Sequence, residues 1–224
     1  MTPDTAPASL DPKAIVRDGY DRVSRAYRGD TLELDPQSGY AHWLRRLAPR
    51  IAPGARVLDL GCGNGIPVAR ELAGRFRVTG VDLSPVQVER ARALVPDARF
   101  VCADMTAVEF ESRSFDAVVA FFSIINVPVD EQADLFRRIA RWLEPGGWFF
   151  AILGKQAWTG TEDDWQGVKG ATMYWSHADL ATYRQWFADA GLGIVEEGTQ
   201  PEKGTPGFAV LIARRRAGDS GAGG

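Results

Sequence analysis

The chain has 224 residues, a formal net charge of −3 at pH 7 and two cysteines. This length allows one well-buried core, so we expect a single domain. A broad nucleic-acid surface needs clustered Lys and Arg, and the basic run Arg214 to Arg216 is confined to the region beside the C-terminal tail. No apolar run approaches the length of a membrane span, and the N-terminus lacks a signal pattern. These features predict a cytoplasmic protein, a monomer or homodimer, without a nucleic-acid or membrane partner.

Both ends of the chain have compositions typical of disorder. Residues 1–10 are rich in Pro, Ala and Thr, and residues 217–224 are small and polar. Neither segment can bury enough apolar surface to order itself. We therefore predict a disordered N-terminus over 1–10 and a disordered tail over 217–224.

From residue 53 onward, short apolar segments alternate with segments of helical periodicity. The predicted strands are RVLDLG, RVTGVDLS, ARFVCADM, FDAVVAFFSI and WFFAILG. Helices lie between them, and one is opened by Ser84 and Pro85. Near-continuous apolar strands separated by helices indicate an α/β fold, with a parallel sheet covered on both faces.

Acidic residues follow three of the predicted strands. Asp59, Asp82 and Asp104 lie at or near the carboxyl ends of the first, second and third strands. Ligands of such sheets bind beyond these ends, where the strand order reverses. Acids at this edge suit a ligand with hydroxyl donors, amine donors and a positive charge, and they suit a polyphosphate poorly.

A glycine loop directly after the first strand narrows the choice of ligand. Gly61, Gly63 and Gly65 form G-x-G-x-G, whereas a dinucleotide fingerprint requires G-x-G-x-x-G. Asp82 could accept two ribose hydroxyls in either case. Asp104 has no role in the dinucleotide scheme, but it could accept the exocyclic amine of an adenine. The loop alone is a weak signal, and its combination with the two acids is a strong one.

Five segments resemble, in order and spacing, the motifs of the class I S-adenosylmethionine-dependent methyltransferases of the small-molecule type. They are VLDLGCGNG, GVDLS, CADMT, FDAVVAFFSI and LEPGGWF, between Val57 and Phe150. The resemblance implies a Rossmann-like, seven-stranded, mostly parallel sheet whose last strand is antiparallel. FAVLIARR is the candidate for that strand, with GIVEEGTQ as its neighbour.

The resemblance also implies S-adenosylmethionine as cofactor, with S-adenosylhomocysteine as its product. Gly61 and Gly63 would line the methionine moiety, Asp82 would hold the ribose, and Asp59 would act through the amino group or a water molecule. Asp104 and Met105 would frame the adenine, and the segment from Phe121 to Ser123 would enclose the sulfonium. The cofactor-binding residues predicted in this way are Asp59, Gly61, Cys62, Gly63, Asp82, Leu83, Asp104, Met105, Phe121, Phe122 and Tyr27.

Two regions outside the 53–216 core are expected to cover the cofactor or the substrate. Residues 11–52 are predicted to form helices that cap the cofactor site, in which Tyr20 points at the cofactor or substrate or is a core tyrosine. An insertion over about 154–175 carries aromatic residues that form either a lid on a planar substrate or a cover for the sheet edge. The predicted substrate-binding residues are Asn126, Trp158, Tyr174 and Trp175.

His177 and Tyr20 are the predicted catalytic residues, if the reaction needs a base. Ser176 is predicted to cap a helix, which would place His177 in the first turn, where the positive helix end lowers an imidazole pKa. Asn126 stands where many small-molecule relatives have a histidine, and an amide cannot take a proton. Asp163 and Asp164 lack clear partners, so no metal is expected.

The predicted reaction is methyl transfer to an O, N or S nucleophile of a small molecule by in-line displacement. A nucleic-acid or protein methyltransferase and a non-catalytic S-adenosylmethionine-binding protein are the alternatives.

Overall fold

The computed structural model describes residues 11–31, 34–202 and 204–217. The predicted disordered segment 1–10 lies outside the described residues, as does the tail from residue 218 onward. The helices are α1 Pro12–Tyr27, α2 Gly39–Leu47, α3 Val68–Ala73, α4 Pro85–Leu94, α5 Val129–Trp142 and α6 Leu180–Asp189. The strands are β1 Arg56–Leu60, β2 Arg77–Asp82, β3 Arg99–Cys102, β4 Phe115–Phe121, β5 Leu143–Leu153, β6 Trp158–Glu162, β7 Met173–His177, β8 Leu192–Gln200 and β9 Phe208–Arg215.

Seven of the strands form one sheet in the order β3-β2-β1-β4-β5-β9-β8. β1 to β5 run parallel, and β9 is antiparallel to both β5 and β8. The last strand is therefore antiparallel and lies beside residues 192–200, which confirms the predicted fold class. The order of the strands reverses between β1 and β4, and this locates the ligand edge of the sheet.

Successive residues of the strands face two separate cores. On one face, Leu58 packs in a cluster with residues of α5 and α6, including Phe136 and Phe187. On the other face, Val57 packs in a cluster with residues of α2, α3 and α4, including Leu47. The alternation follows from the two-residue period of a strand, and it leaves both faces of the sheet covered by helices. None of the described helices is long and apolar enough to cross a membrane.

The helix starts agree with the sequence at α4 and differ at α6. Ser84 caps α4 by accepting from the amide of Gln87, as predicted. The prediction that Ser176 caps the helix corresponding to α6 is wrong, because Asp179 caps α6 by accepting from the amide of Thr182. Ser176 and His177 instead lie in β7, so His177 is not in a first helical turn.

The aromatic insertion after β5 is a β-hairpin. β6 and β7 pair antiparallel, with Trp158 opposite His177 and Glu162 opposite Met173. Between them, a short turn buries Trp165 against α1, in a third apolar cluster that includes Val16 and Val23. The insertion therefore extends two residues beyond the predicted end at 175, and it packs on the first helix as well as on the sheet edge.

A buried glutamine ties the hairpin to the sheet. The Nε2 of Gln132, on α5, lies 2.7–3.1 Å from the carbonyl oxygens of Ile124, Val127 and Ser176. Its Oε1 accepts from the Tyr183 hydroxyl at 2.9 Å. Gln132 is fully buried, so these bonds form away from water, although the Ile124 carbonyl also accepts from the amide of Val127 and the Tyr183 hydroxyl from the amide of Ala178.

We expect Gln132→Ala to lower the free energy of unfolding by about 2–4 kcal/mol, since it removes one hydrogen-bond partner from each of four buried polar groups. The control is Gln185→Ala, which removes an exposed glutamine that bonds to Asp189 and should change stability by less than about 0.5 kcal/mol. Urea unfolding of both variants measures the difference. Equal effects in the two variants would show that the buried network is not required for stability.

Candidate active site

A cavity opens at the carboxyl ends of the parallel strands, beside the point where the strand order reverses. Its walls come from the ends of β1 to β4, from the glycine loop after β1 and from α1. All eleven residues predicted to bind the cofactor line this cavity. Tyr20 and Asn126 line it as well, so the structure brings together the predicted cofactor residues and one predicted catalytic residue.

Asp59 is the deepest acid of the cavity. It lies on β1 between its register partners Gly80 and Val119, and it is 2% exposed. Its Oδ2 has no hydrogen-bond partner. Burial raises the pKa of Asp59 to about 8, and the nearby charge of Asp82 adds to the effect. A buried acceptor without a partner suits a ligand that brings a cationic donor.

Asp82 organises the loop around it. Its carboxylate accepts from the amide of Gly63 at 2.8 Å and from the amide of Ser84 at 2.9 Å. Burial raises the pKa of Asp82 to about 6, although these two amides partly offset the effect. The carboxylate therefore joins the first two strand ends of the site and keeps further lone pairs for a ligand.

The glycine loop requires glycine for both conformation and space. Gly61 and Gly63 have φ angles of +74° and +55°, in the left-handed region. A Cβ at Gly61 would lie 2.1 Å from the Cβ of Ser123, at the end of β4. The loop can therefore pass this strand end only if residue 61 has no side chain.

Asp104 has partners of its own in the structure. Its Oδ2 lies 2.7 Å from the Nζ of Lys13, on α1, and its Oδ1 accepts from the amide of Thr106. Burial alone would raise the pKa of Asp104, but the bonds from Lys13 and Thr106 outweigh it and leave the pKa below its usual value. The third acid is thus neutralised by the first helix, a pairing that no local pattern in the sequence indicates.

Aromatic rings close the remaining side of the cavity. The Tyr20 hydroxyl lies 3.4 Å from the Oδ1 of Asn126, whose Nδ2 donates to the Tyr174 carbonyl at 2.7 Å. Enclosure raises the pKa of Tyr20 well above its usual value. The phenol therefore keeps its proton and acts as a hydrogen-bond donor, and it is poorly suited to be a base.

Several residues of the cavity are not among those predicted from the sequence. Tyr40, from α2, lines the cavity and accepts a hydrogen bond from Arg28, while its ring contacts Phe122 at a centroid distance of 5.5 Å. Asn64 is buried in the glycine loop, and its Nδ2 has no partner. A polar residue between two glycines of the loop was the available signal for Asn64, whereas nothing local marks Tyr40.

The other predicted residues lie elsewhere. Trp158, Trp175 and His177 line a second, outer cavity beside the hairpin. Tyr174 contributes its backbone carbonyl to Asn126 and packs against the α1 cluster.

His177 lines the outer cavity and has one ring nitrogen that can accept a hydrogen bond. Its Nδ1 is bonded to the Gln156 carbonyl, which leaves Nε2 as the acceptor. Burial lowers its pKa, although the bond to Gln156 partly offsets the effect. The predicted direction of the shift is therefore found, but its predicted cause, a helix end, is wrong.

The raised pKa of Asp59 has a consequence for stability. The folded protein retains a proton that the unfolded chain releases near pH 3.8, so the stability from this group is greatest below that pH and is lost as the pH rises toward 8. Between pH 5 and pH 8, wild-type protein should lose about 2 kcal/mol or more beyond the loss in Asp59→Asn. Urea unfolding at both pH values checks this, with the exposed Asp134→Asn as a control that follows the wild type. The same decline in Asp59→Asn as in wild type would contradict the assignment.

The comparisons with known proteins agree with this geometry. Residues 57–147 match the family model described as a methyltransferase domain. The chain is 39% identical over 115 residues to the 27-O-demethylrifamycin SV methyltransferase of Amycolatopsis mediterranei, and this match covers 46% of this chain and 42% of that protein. It is 36% identical over 161 residues to the 2-methyl-6-phytyl-1,4-hydroquinone methyltransferase of Synechocystis sp., and this second match covers 65% of this chain and 48% of that protein.

A solved structure supports the shared fold over nearly the whole chain. It is the magnesium protoporphyrin IX methyltransferase of Synechocystis PCC 6803 with bound S-adenosylmethionine, which is 20% identical with a TM-score of 0.66. The likeness covers 94% of this chain and all of that one. The chain spans half or less of the length of the first curated relatives that it matches. Residues 57–147 of the chain are thus similar to a methyltransferase domain, and the strand order and the solved structure show that the chain shares the fold of such an enzyme.

Proposed function

We propose that this protein transfers a methyl group from S-adenosylmethionine to an O, N or S nucleophile of a small molecule. One observation carries the proposal: the unpartnered Oδ2 of the buried Asp59, in a cavity that also holds Asp82 and Asp104 at neighbouring strand ends. Such a set of acids favours a cationic ligand that carries hydroxyl and amine donors. S-adenosylmethionine has a sulfonium, an α-ammonium group, a ribose and an adenine amine.

The residues of the cavity fit this cofactor. Asp59 would pair with the α-ammonium group, Asp82 would accept from the ribose hydroxyls, and Met105 would pack on the adenine beside Asp104. Side chains of α1, including Lys13 and Tyr20, form one wall of the cavity. Residues 11–52 accordingly act as a cap in this proposal.

The chemistry places few demands on the protein. When bound, S-adenosylmethionine would supply an electrophilic methyl group for attack in line by the acceptor's lone pair, and the sulfur would keep the electron pair of the broken bond as the neutral thioether of S-adenosylhomocysteine. Phe121 and Phe122 exclude water beside this centre, and Tyr20 and Asn126 orient the acceptor. Alignment and desolvation supply most of the acceleration in such a displacement.

A base is needed only for an acceptor that must lose a proton. Tyr20 has a raised pKa and is the weaker candidate. His177 is neutral near pH 7, presents a free Nε2 and lines the outer cavity with Trp158 and Trp175. We propose that this cavity binds the acceptor and that His177 or water takes its proton. Two relatives are named for small-molecule acceptors, a demethylrifamycin and a hydroquinone. These names favour a small-molecule acceptor over a nucleic-acid or protein acceptor.

Calorimetric titration with S-adenosylmethionine and with NADH tests the cofactor directly. We expect wild-type protein to bind S-adenosylmethionine and to prefer it over NADH, and Asp82→Ala to weaken that binding at least about tenfold through the lost ribose acceptor. The matched control is Asp134→Ala, an exposed aspartate of α5 that pairs with Arg137 and should bind like wild type. Preference for NADH would overturn the proposal. Binding of S-adenosylmethionine without methyl transfer to any acceptor would favour a non-catalytic binding protein.

The pKa of Asp59 predicts a proton release that accompanies binding. At pH 7 the carboxyl is largely protonated, because its pKa is about 8, and pairing with an ammonium group requires the ionised form. Wild-type protein should release close to one proton per S-adenosylmethionine bound. Calorimetry in two buffers of different ionisation enthalpy measures the number. Asp59→Asn should release none, and an equal release from that variant would exclude Asp59 as the ammonium partner.

A further inference from the structure

The cavity at the strand ends, which holds Asp59, Asp82 and Asp104, is called the cofactor cavity below. The outer cavity has walls of a different kind. It measures about 600 Å³, within the range of sites that enclose drug-sized molecules. Five aromatic side chains line it: Tyr27, Trp158, Trp165, Trp175 and Phe208. Tyr27 lines both cavities, so the two sites meet at this ring.

The aromatic rings form a continuous wall on the side of the cofactor cavity. Trp165 lies with its ring centroid 5.2 Å from that of Tyr27 and 5.7 Å from that of Trp175. Trp165 is 5% exposed, whereas Trp158, which also lines the cavity, is 48% exposed. The accessible aromatic surface therefore comes mainly from Trp158 and from the half-buried Tyr27 and Trp175, and such surface favours flat rings over small hydrophilic molecules.

The charges around the cavity disfavour an anion. Among the described residues that line it, Lys155 supplies the positive charge, and its Nζ donates to the Pro206 carbonyl at 3.2 Å. Glu162 and Glu202 add two carboxylates. The neutral ring of His177 provides no compensating charge at pH 7. A carboxylate or phosphate of an occupant would thus face a net negative charge from the described lining residues, two carboxylates against one ammonium group, which is costly in a partly desolvated site.

We propose that the outer cavity selects an uncharged, flat, ring-bearing molecule as the methyl acceptor. This inference rests on the proposed function, since it names the substrate class of the same enzyme. The reacting atom of the acceptor would approach the cofactor cavity past Tyr27, with its rings against Trp158 and Trp175.

A matched pair of probes tests the selection of charge. 2-Naphthol is neutral at pH 7, and 2-naphthoate carries the same rings with a negative charge. Calorimetric titration of the full chain is made without S-adenosylmethionine, so the result does not depend on the cofactor. We expect 2-naphthol to bind at least tenfold more tightly than 2-naphthoate. Equal affinity, tighter binding of 2-naphthoate, or no binding of 2-naphthol would overturn the proposal.

Two variants locate the binding. Trp158→Ala should weaken 2-naphthol at least threefold, whereas Val195→Ala, an exposed apolar residue of β8 outside the cavity, should leave it unchanged. Glu162→Lys replaces a carboxylate of the cavity wall with a cation, so it should reduce the ratio of the affinity for 2-naphthol to the affinity for 2-naphthoate. Because Trp158 and Glu162 are exposed, both variants should retain the wild-type unfolding midpoint. Unchanged 2-naphthol binding in Trp158→Ala would show that the probe occupies another site.

Failure of this inference can be distinguished from failure of the proposed function. If S-adenosylmethionine binds but 2-naphthol does not, the cofactor assignment stands and the acceptor class is wrong. If 2-naphthol binds as expected but S-adenosylmethionine does not, the outer cavity is a ring-binding site and the methyltransferase proposal is wrong.

Discussion

The close passage of the glycine loop across the end of β4 is the constraint on which the site depends. Gly61 lies so near Ser123 that a side chain could not be accommodated, and the Ser123 hydroxyl donates to the Leu60 carbonyl at 2.6 Å. This contact fixes the end of β1 against the end of β4, where the sheet order reverses. It also directs the amide of Gly63 toward Asp82, so that one loop joins three strand ends.

The three acids at this edge differ in how their charges are balanced. Asp59 has an oxygen without a partner, Asp82 is held by backbone amides, and Asp104 is paired with Lys13 of the first helix. Their pKa values differ accordingly, raised for the two buried acids and lowered for the paired one. Three aspartates therefore differ in pKa at one sheet edge, because burial and hydrogen-bond partners set the charge of each carboxyl.

The sequence predicted the sheet, and it predicted which acids share one cavity at the sheet edge, because both depend on local patterns. Buried strands have continuous apolar runs, and parallel strands bring their carboxyl ends to one edge, so the amino-acid order alone groups Asp59, Asp82 and Asp104. The contributions of Lys13 and Tyr40 could not be predicted from local patterns, because the packing of α1 and α2 brings them to the cavity. Lys13, for example, pairs with Asp104, which lies far along the chain. The start of α6 was misplaced since Ser176 and Asp179 are both good capping residues, and the pairing of β6 with β7 decides between them. That pairing also moved His177 from a helix end to a strand.

The division of the two cavities between different segments has a consequence for how such a protein can diversify. The cofactor cavity is built from strand ends and the first helices, whereas the outer cavity is built largely from the hairpin and the segment before β9. Insertions or substitutions in those two segments can reshape one cavity while the strand ends that form the other are retained. Under the proposed function, changes in those two segments can therefore alter which acceptor is methylated while the binding of S-adenosylmethionine is retained, except at Tyr27, which lines both cavities.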